Sequence, residues 1–369
     1  MVSAGEFVAA LRGADVGLCT GVPDSLLAPL CAWFQDHMSA EEHVIAANEG
    51  GAVALATGHY LGSGKVPLVY LQNSGLGNAV NPLLSLAHPD VYGVPMLLVV
   101  GWRGQPGARD APQHLPQGRA TQALLNALEI HHEIVDSSDI HGQIARLVRR
   151  STRERGPVAL LVPKGVFEAS DSALSSPLPG LSREAAVGAV VHALGPRDVV
   201  VATTGKAARE LHALRLRQGR PGRDFLVVGS MGHASQIALG LAMSRPDRRI
   251  CCLDGDGALI MHMGALAIIG AKNPHNLLHV VLDNGVHDSV GGQPTASGTL
   301  DVCGLALASG YRRAVSVSGG TAVHDAVVDL VNGPCLLHVR VRAGARADLG
   351  RPSGAPSGQL DSFVRWLAQ

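Results

Sequence analysis

Two polar segments in the second half of the chain carry oxygen ligands suited to a metal ion. Gly255-Asp256-Gly257 follows the apolar run Ile250–Leu253, and Asn284 closes the apolar run Leu277–Leu282. Two strand ends 28 residues apart thus present a carboxylate and an amide carbonyl beside glycines. Hard oxygen ligands next to backbone that can be approached closely suit Mg²⁺ carrying a phosphate group. The two segments therefore predict a metal–diphosphate site.

The elements that must position this site are short apolar runs alternating with helical patterns, which is typical of parallel α/β layers. In such sheets, ligands bind outside the carboxyl ends of the strands. We predict six strands in the first half, near Val16–Thr20, His43–Ala46, Val66–Gln72, Pro95–Gly101, Glu133–Asp136 and Pro157–Pro163. Six more are predicted in the second half, near Asp198–Thr203, Asp224–Gly229, Arg249–Asp254, Leu277–Asp283, Arg313–Val317 and Cys335–Arg342.

The predicted fold class is α/β, with two similar domains that are each a six-stranded, mostly parallel sheet flanked by helices. A chain of 369 residues has room for two such domains. We place the first at residues 1–167, a Ser/Pro-rich linker at 168–181 and the second at 182–369, without a middle domain. Residues 349–358 are predicted to form a loop before a terminal helix near Gln359–Leu367.

Composition excludes several classes of protein. Lys plus Arg equals Asp plus Glu at 30 each, which argues against nucleic acid or an anionic membrane as the main partner. The six cysteines are scattered without metal-binding spacing, so we expect reduced, buried thiols. No apolar run reaches the ~20 residues of a membrane span. The N-terminus lacks the features of a signal peptide, so we expect a cytoplasmic location.

Other phosphate-binding motifs are incomplete. Thr203–Ala207 lacks the leading glycine and the final Ser/Thr of a P-loop, and Gly62–Lys65 fails likewise. Gly75–Val80 lacks the third glycine of a dinucleotide fingerprint. Neither an ATPase nor an NAD enzyme is therefore supported.

The Gly-Asp-Gly segment followed at this distance by Asn284 resembles the metal motif of thiamine-diphosphate (ThDP) enzymes. The resemblance implies Mg²⁺ bound by Asp256, Asn284 and the Val286 carbonyl, with phosphate oxygens and water completing an octahedron. The second-domain residues that it places against the cofactor are Thr204, Gly205, Gly229, Ser230, Met231, Gly255, Gly257 and Ala258. Met231 would prop the cofactor in a bent conformation, although a methionine filling the core is the open alternative.

A second part of the resemblance lies far upstream, in the first domain. ThDP decarboxylases carry Asn-Glu after the second strand, and Asn48-Glu49 stands there at the start of an Ala-rich helix. The resemblance implies a catalytic role for Glu49, whose carboxyl would share a proton with the aminopyrimidine ring. The turn Gln72–Asn78 would face that ring, with Asn73, Gly77 and Asn78 as candidate cofactor-binding residues, or it is an ordinary loop.

The two-domain arrangement and the segment 284–295 are most similar to the phosphonopyruvate decarboxylase branch of this family. Val286 and Gly51 depart from that pattern without undermining cofactor binding. The resemblance implies decarboxylation of 3-phosphonopyruvate to phosphonoacetaldehyde in phosphonate and antibiotic biosynthesis, by a homodimer or larger homo-oligomer with active sites at the interface. Candidate acid–base residues are Asp24 and His114, and candidate phosphonate ligands are Ser25, Arg103, His287 and Ser289.

Three alternatives stay open. The nearest is a sulfopyruvate decarboxylase, which applies the same chemistry to a sulfonate of similar size. The second is a ThDP carboligase acting on a related 2-keto acid. The third is a non-catalytic ThDP-binding paralogue, against which Glu49, Asp256 and Asn284 speak.

Overall fold

The chain divides into two compact units, Met1–Ala173 and Leu174–Gln369. The computed structural model describes residues 1–169, 179–220, 222–352 and 355–369. Residues 170–178 of the linker that we predicted at 168–181 lie outside the described residues. The domain boundaries at 167 and 182 stay a prediction.

The first unit is a six-stranded parallel sheet in the order β2-β1-β3-β4-β6-β5. Its strands are β1 Cys19–Gly21, β2 His43–Ile45, β3 Leu68–Gln72, β4 Met96–Gly101, β5 His131–Ile134 and β6 Pro157–Val162. Its helices are α1 Ala4–Gly13, α2 Ala28–His37, α3 Glu49–Ser63, α4 Leu76–Pro82, α5 His114–Ala127 and α6 Ile140–Glu154, with a 3₁₀ turn at Asn73–Gly75 and a π turn at Leu83–Ala87. Apolar clusters pack on both faces of the sheet, so β4 and β6 are buried along their whole length.

The second unit is also a six-stranded parallel sheet, in the order β11-β12-β10-β9-β7-β8. Its strands are β7 Val199–Ala202, β8 Asp224–Leu226, β9 Ile250–Gly255, β10 Leu277–Asp283, β11 Arg313–Val317 and β12 Cys335–Arg340. Its helices are α7 Arg183–Ala193, α8 Lys206–Arg217, α9 Ala234–Ser244, α10 Asp256–Met261, α11 Ala265–Lys272, α12 Val302–Ala308, α13 Gly320–Asp329 and α14 Pro356–Leu367. Read from its other edge, this sheet has the same strand order as the first.

The predicted fold class is confirmed, and each predicted strand overlaps an observed one. Boundaries differ where burial is partial. We predicted Glu133–Asp136, but β5 is His131–Ile134, an edge strand with half-buried histidines and a weak apolar pattern. The loop predicted at 349–358 is too long, because α14 begins at Pro356, whose constrained backbone suits a first helical turn.

The six cysteines are free, and five of them are buried. The prediction of reduced, buried thiols is confirmed for those five, and Cys303 is partly exposed. Among the described residues, no helix is long and apolar enough to cross a membrane.

Candidate functional site

The segments predicted to bind the metal lie at the carboxyl ends of two neighbouring strands, β9 and β10. Leu282 is paired with Gly255 in the parallel register, so the loop that begins after β10 starts beside Asp256. The Asp256 side chain is buried at the first residue of α10. Burial, reinforced by the negative charge of Asp283, raises the pKa of Asp256 to about 6 despite a hydrogen bond from Thr295. A nearby cation would offset this cost of burying a carboxylate.

The loop after β10 folds back on itself and returns to Asp256. Val286 bridges to Pro294 in antiparallel fashion, and Thr295 N–H donates to the Gly285 carbonyl at 2.9 Å. The Asn284 side-chain oxygen accepts from Val286 N–H at 3.2 Å. Carboxylate, amide and main-chain oxygens are ligands that Mg²⁺ accepts, so the residues present fit the ion that the motif implies.

Three segments of the second unit converge at Gly257. A Cβ built on Gly257 would lie 3.0 Å from Cε1 of His287 and 3.3 Å from Cε of Met231. Met231 is half-buried here, in a turn where Ser230 and Gly232 have positive φ. Burial lowers the pKa of His287 to about 4, so its imidazole is neutral at pH 7. His287 can therefore offer a hydrogen bond to a ligand but no positive charge.

The start of α8 presents backbone N–H groups near the same loop. Thr204 and Gly205 precede this helix, and Gly205 has a φ of 98°. A Cβ on Gly205 would lie 2.9 Å from Ser289 Oγ, so the exposed Ser289 hydroxyl borders the helix start. Free N–H groups and the helix dipole make such a position suited to a phosphate.

In the first unit, Glu49 opens α3 directly after its N-cap, Asn48. Its buried carboxyl accepts a 2.7 Å hydrogen bond at Oε2 from Asn78 Nδ2. Burial raises the pKa of Glu49, and the Asn78 hydrogen bond opposes that shift. A side chain at Gly75 would overlap Oε1 of Glu49, so the carboxyl lies directly against backbone. Asn78 thus holds Glu49, and its predicted contact with the cofactor stays a prediction.

Asn73 is occupied within its own unit. The buried amide donates to the Arg103 carbonyl at 2.8 Å and to Thr121 Oγ1 at 2.9 Å, and accepts from Arg103 N–H. It thereby ties the turn after β3 to the turn after β4. Gly77 is exposed in α4, with nothing near its Cβ position. Cofactor contacts of Asn73 and Gly77 stay predictions.

The predicted acid–base and substrate residues of the first unit lie at one edge of its sheet. Asp24 and Ser25 follow β1, Arg103 follows β4, and His114 begins α5. Arg103 donates to Ser25 Oγ at 2.6 Å, and the His114 carbonyl lies where a side chain on Gly104 would be. The structure therefore brings these four predicted residues to one region of the unit.

Asp24 is the carboxylate of this group, and it is only 1% exposed. Its Oδ2 accepts from Leu26 N–H at 2.7 Å, whereas Oδ1 has no hydrogen-bond partner among the described residues. Burial raises the pKa of Asp24 to about 6, although backbone N–H groups and Arg103 oppose it. Gly101 permits this position, since a Cβ there would lie 2.3 Å from Asp24 Oδ2.

Arg103 forms a two-point ion pair with Asp110, at 2.8 Å and 2.5 Å. Burial raises the pKa of Asp110, but the Arg103 hydrogen bonds and two backbone N–H groups outweigh it and hold the pKa below its usual value. The sequence interpretation missed this partner. Opposite charges seven residues apart in one polar loop were the available signal.

Matches to known families cover both units. The pattern described as "Thiamine pyrophosphate enzyme, N-terminal TPP binding domain" matches residues 3–127. The pattern described as "Thiamine pyrophosphate enzyme, C-terminal TPP binding domain" matches residues 203–339. Together with the duplicated sheet, these matches show that the chain belongs to the thiamine pyrophosphate enzyme family.

Three relatives within this family are named as phosphonopyruvate or sulfopyruvate decarboxylases. A phosphonopyruvate decarboxylase of Streptomyces viridochromogenes is 37% identical over 97% of this chain and 93% of its own. One of Streptomyces hygroscopicus is 37% identical over 96% of this chain and 92% of its own. A sulfopyruvate decarboxylase of Methanosarcina acetivorans is 28% identical over 75% of this chain and 76% of its own. The resemblance drawn from the motifs is thereby confirmed.

Proposed function

We propose that this chain is a ThDP- and Mg²⁺-dependent carboxy-lyase that converts 3-phosphonopyruvate to phosphonoacetaldehyde and CO₂ in phosphonate biosynthesis. The observation that carries the proposal is 37% identity to a phosphonopyruvate decarboxylase over 97% of the chain. It is supported by Glu49, Asp256 and Asn284, which match the residue types of the ThDP motifs in the sequence.

The second unit would hold the metal and the diphosphate. Asp256, Asn284 and the Val286 carbonyl would bind Mg²⁺ as oxygen ligands. Thr204 and Gly205 would lie against the phosphates at the start of α8. Because Mg²⁺ favours the charged form of Asp256, binding should lower the raised pKa of this carboxyl.

The bound cofactor supplies a carbon nucleophile and accepts the electron pair released as CO₂ leaves. Glu49 would exchange a proton with the aminopyrimidine ring, and burial suits it to this task by raising its pKa. Asn78 and Gly75 would keep its carboxyl in place.

The overall reaction breaks one C–C bond and replaces the carboxylate by a proton on the former keto carbon. Asp24, with a pKa of about 6, can hold and release a proton near neutral pH. We propose Asp24 and His114 as the acid–base residues. The phosphonate would be recognised by hydrogen bonds from Ser25, Arg103, His287 and Ser289.

A homodimer with active sites at the interface is the proposed minimal assembly, with Glu49 and Asp256 contributed by different subunits. The exposed side of α3 is apolar and small, with Leu55 39% and Leu61 75% exposed and Gly51, Ala54 and Gly58 beside them. Sedimentation velocity tests the assembly, and activity in a species with the mass of one chain would contradict it. The cytoplasmic location stays a prediction.

Sulfopyruvate is the second candidate substrate, because the Methanosarcina relative named for it covers most of the chain. A sulfonate carries one negative charge where a phosphonate carries up to two, so the two acids probe the same pocket with different charge. Comparing kcat/KM for both substrates with one enzyme preparation decides between them. A higher value for sulfopyruvate would overturn the proposed substrate.

A further inference from the structure

A series of polar side chains, buried except for the half-buried Thr295, extends from Asp256 across the second unit. Thr295 Oγ1 donates to Asp256 Oδ2 at 2.5 Å. The Ser297 hydroxyl lies 3.1 Å from Thr295 Oγ1 and donates to Asp283 Oδ1 at 2.8 Å. Asp283 Oδ2 in turn lies 2.9 Å from Nε2 of His338. Thr295, Ser297, Asp283 and His338 thus lie in series between the Asp256 carboxylate, which follows β9, and strand β12, on the far side of β10.

Strands and a 3₁₀ turn hold the residues of this series in place. Asp283 is the last residue of β10, and His338 is opposite Val281 in the paired strand β12. Since side chains alternate along a strand, Asp283 and Val281 share a face, and His338 reaches Asp283 diagonally. Thr295 and Ser297 lie at the start of the 3₁₀ turn Ala296–Thr299, where Thr295 also caps Ser297 N–H.

These hydrogen bonds restrict the orientation of the Asp256 carboxylate. One of its oxygens is held by the Thr295 hydroxyl, whose oxygen accepts from the main-chain N–H of Ser297, a residue only 2% exposed. Residues that orient a metal ligand in this way commonly change metal affinity 10–100-fold when they are removed. Both side chains are small, so removing either hydroxyl changes little packed volume.

We propose that Thr295, Ser297, Asp283 and His338 are positioning residues that orient the Asp256 carboxylate for a divalent cation. The inference rests on the proposed function in taking Mg²⁺ with a diphosphate as the ligand. It extends that function by assigning Thr295, at the end of the loop 284–295, and Ser297, just after it, a role in metal affinity.

The test compares Thr295→Val, which keeps the shape but removes the hydroxyl, with Thr295→Ser, which keeps the hydroxyl. Mg²⁺ is titrated calorimetrically into the metal-free protein in the presence of excess ThDP, without substrate, and the heat of Mg²⁺ binding to free ThDP is subtracted. We expect the Mg²⁺ Kd to rise roughly 10-fold or more for Thr295→Val and to stay within about 2-fold for Thr295→Ser. Thermal unfolding of the metal-free proteins should show similar midpoints.

Two further variants guard against a purely structural effect. Ser297→Ala should weaken Mg²⁺ binding less than Thr295→Val does. The double variant should raise the Mg²⁺ Kd by less than the product of the two single effects, because both residues belong to one series of contacts. The buried pair Arg215–Asp224 lies at the opposite end of the sheet, where β8 begins. Arg215→Met should therefore lower the unfolding midpoint while leaving the Mg²⁺ Kd unchanged.

An unchanged Kd in Thr295→Val, or equal weakening in Thr295→Val and Thr295→Ser, would overturn the inference. If Thr295→Val does not fold, Ser297→Ala with an unchanged Kd has the same meaning. A wild-type protein that binds Mg²⁺ and ThDP but does not decarboxylate phosphonopyruvate refutes the proposed substrate alone. A wild-type protein that binds no Mg²⁺ with ThDP refutes both.

Discussion

Asn78 donates a 2.7 Å hydrogen bond to Oε2 of Glu49, while the missing side chain of Gly75 leaves room for Oε1. The carboxyl is therefore held from two sides by the turn that follows β3. Proton transfer depends on such placement, since misplacing a catalytic group by about 1 Å can cost 10²-fold in rate.

Gly75→Ala should displace the Glu49 carboxyl, because the added Cβ would occupy its position. We expect kcat to fall about 10- to 100-fold with a folded protein. Gly13→Ala is the matched control, since nothing lies within 4 Å of its Cβ position at the end of α1. Steady-state kinetics and circular dichroism of both variants check this, and equal kcat values would show that Gly75 does not position Glu49.

Glu49→Gln tests the activating carboxyl itself. Glutamine keeps the size and the hydrogen-bonding reach of the side chain but cannot exchange a proton. Turnover should drop roughly 10²- to 10⁴-fold while ThDP still binds. Single-turnover kinetics together with a ThDP titration separate the two effects, and an unchanged kcat would refute the assignment.

Asp256→Ala should abolish the Mg²⁺-dependent binding of ThDP, because it removes the carboxylate among the proposed metal ligands. Calorimetric titration of ThDP with and without Mg²⁺ measures this. A variant that remains fully active without Mg²⁺ would refute the metal assignment.

Because the pKa of Asp24 is raised on folding, we expect the free energy of unfolding to depend on pH. Burial raises its folded pKa to about 6, above the ~3.9 of an unfolded aspartate. The folded state binds the extra proton between these values, so the wild type loses stability as the pH rises from ~4 to ~6. The variant Asp24→Asn has no titrating group at this position, so it should gain stability relative to the wild type across this window, by roughly 3 kcal/mol at most.

Urea unfolding of the wild type and Asp24→Asn at pH 4.5 and pH 7.5 measures this difference. A stability difference that is the same at both pH values, or that changes in the opposite direction, would contradict the burial of the Asp24 carboxyl with one oxygen unpartnered among the described residues.

The sequence predicted strand boundaries well where the residues of the strand itself mark its ends. β10 was predicted to the residue as Leu277–Asp283, because a long apolar run is bounded by polar residues on both sides. The edge strand β5 was shifted, since half-buried positions do not show a clear period. The sequence predicted two similar domains. It did not predict the order of the strands within each sheet, because that order depends on packing between elements that are distant along the chain.

Contacts that depend on close approach were not predictable in the same way. Gly75 is 26 residues from Glu49, and only the folded backbone shows that a side chain there would meet the carboxyl. The ion pair between Arg103 and Asp110 and the series of side chains from Asp256 to His338 likewise require knowledge of loop geometry. Motifs identified the residue types of the site, whereas their partners came from the structure.

Phosphorus NMR of the full-length protein with 3-phosphonopyruvate, ThDP and Mg²⁺ tests the central claim most directly. We predict that the phosphonopyruvate signal is replaced by that of phosphonoacetaldehyde, and that omitting ThDP or Mg²⁺ stops the conversion. Persistence of the phosphonopyruvate signal with active, cofactor-loaded protein, while sulfopyruvate or a coupled keto acid is consumed, would contradict it.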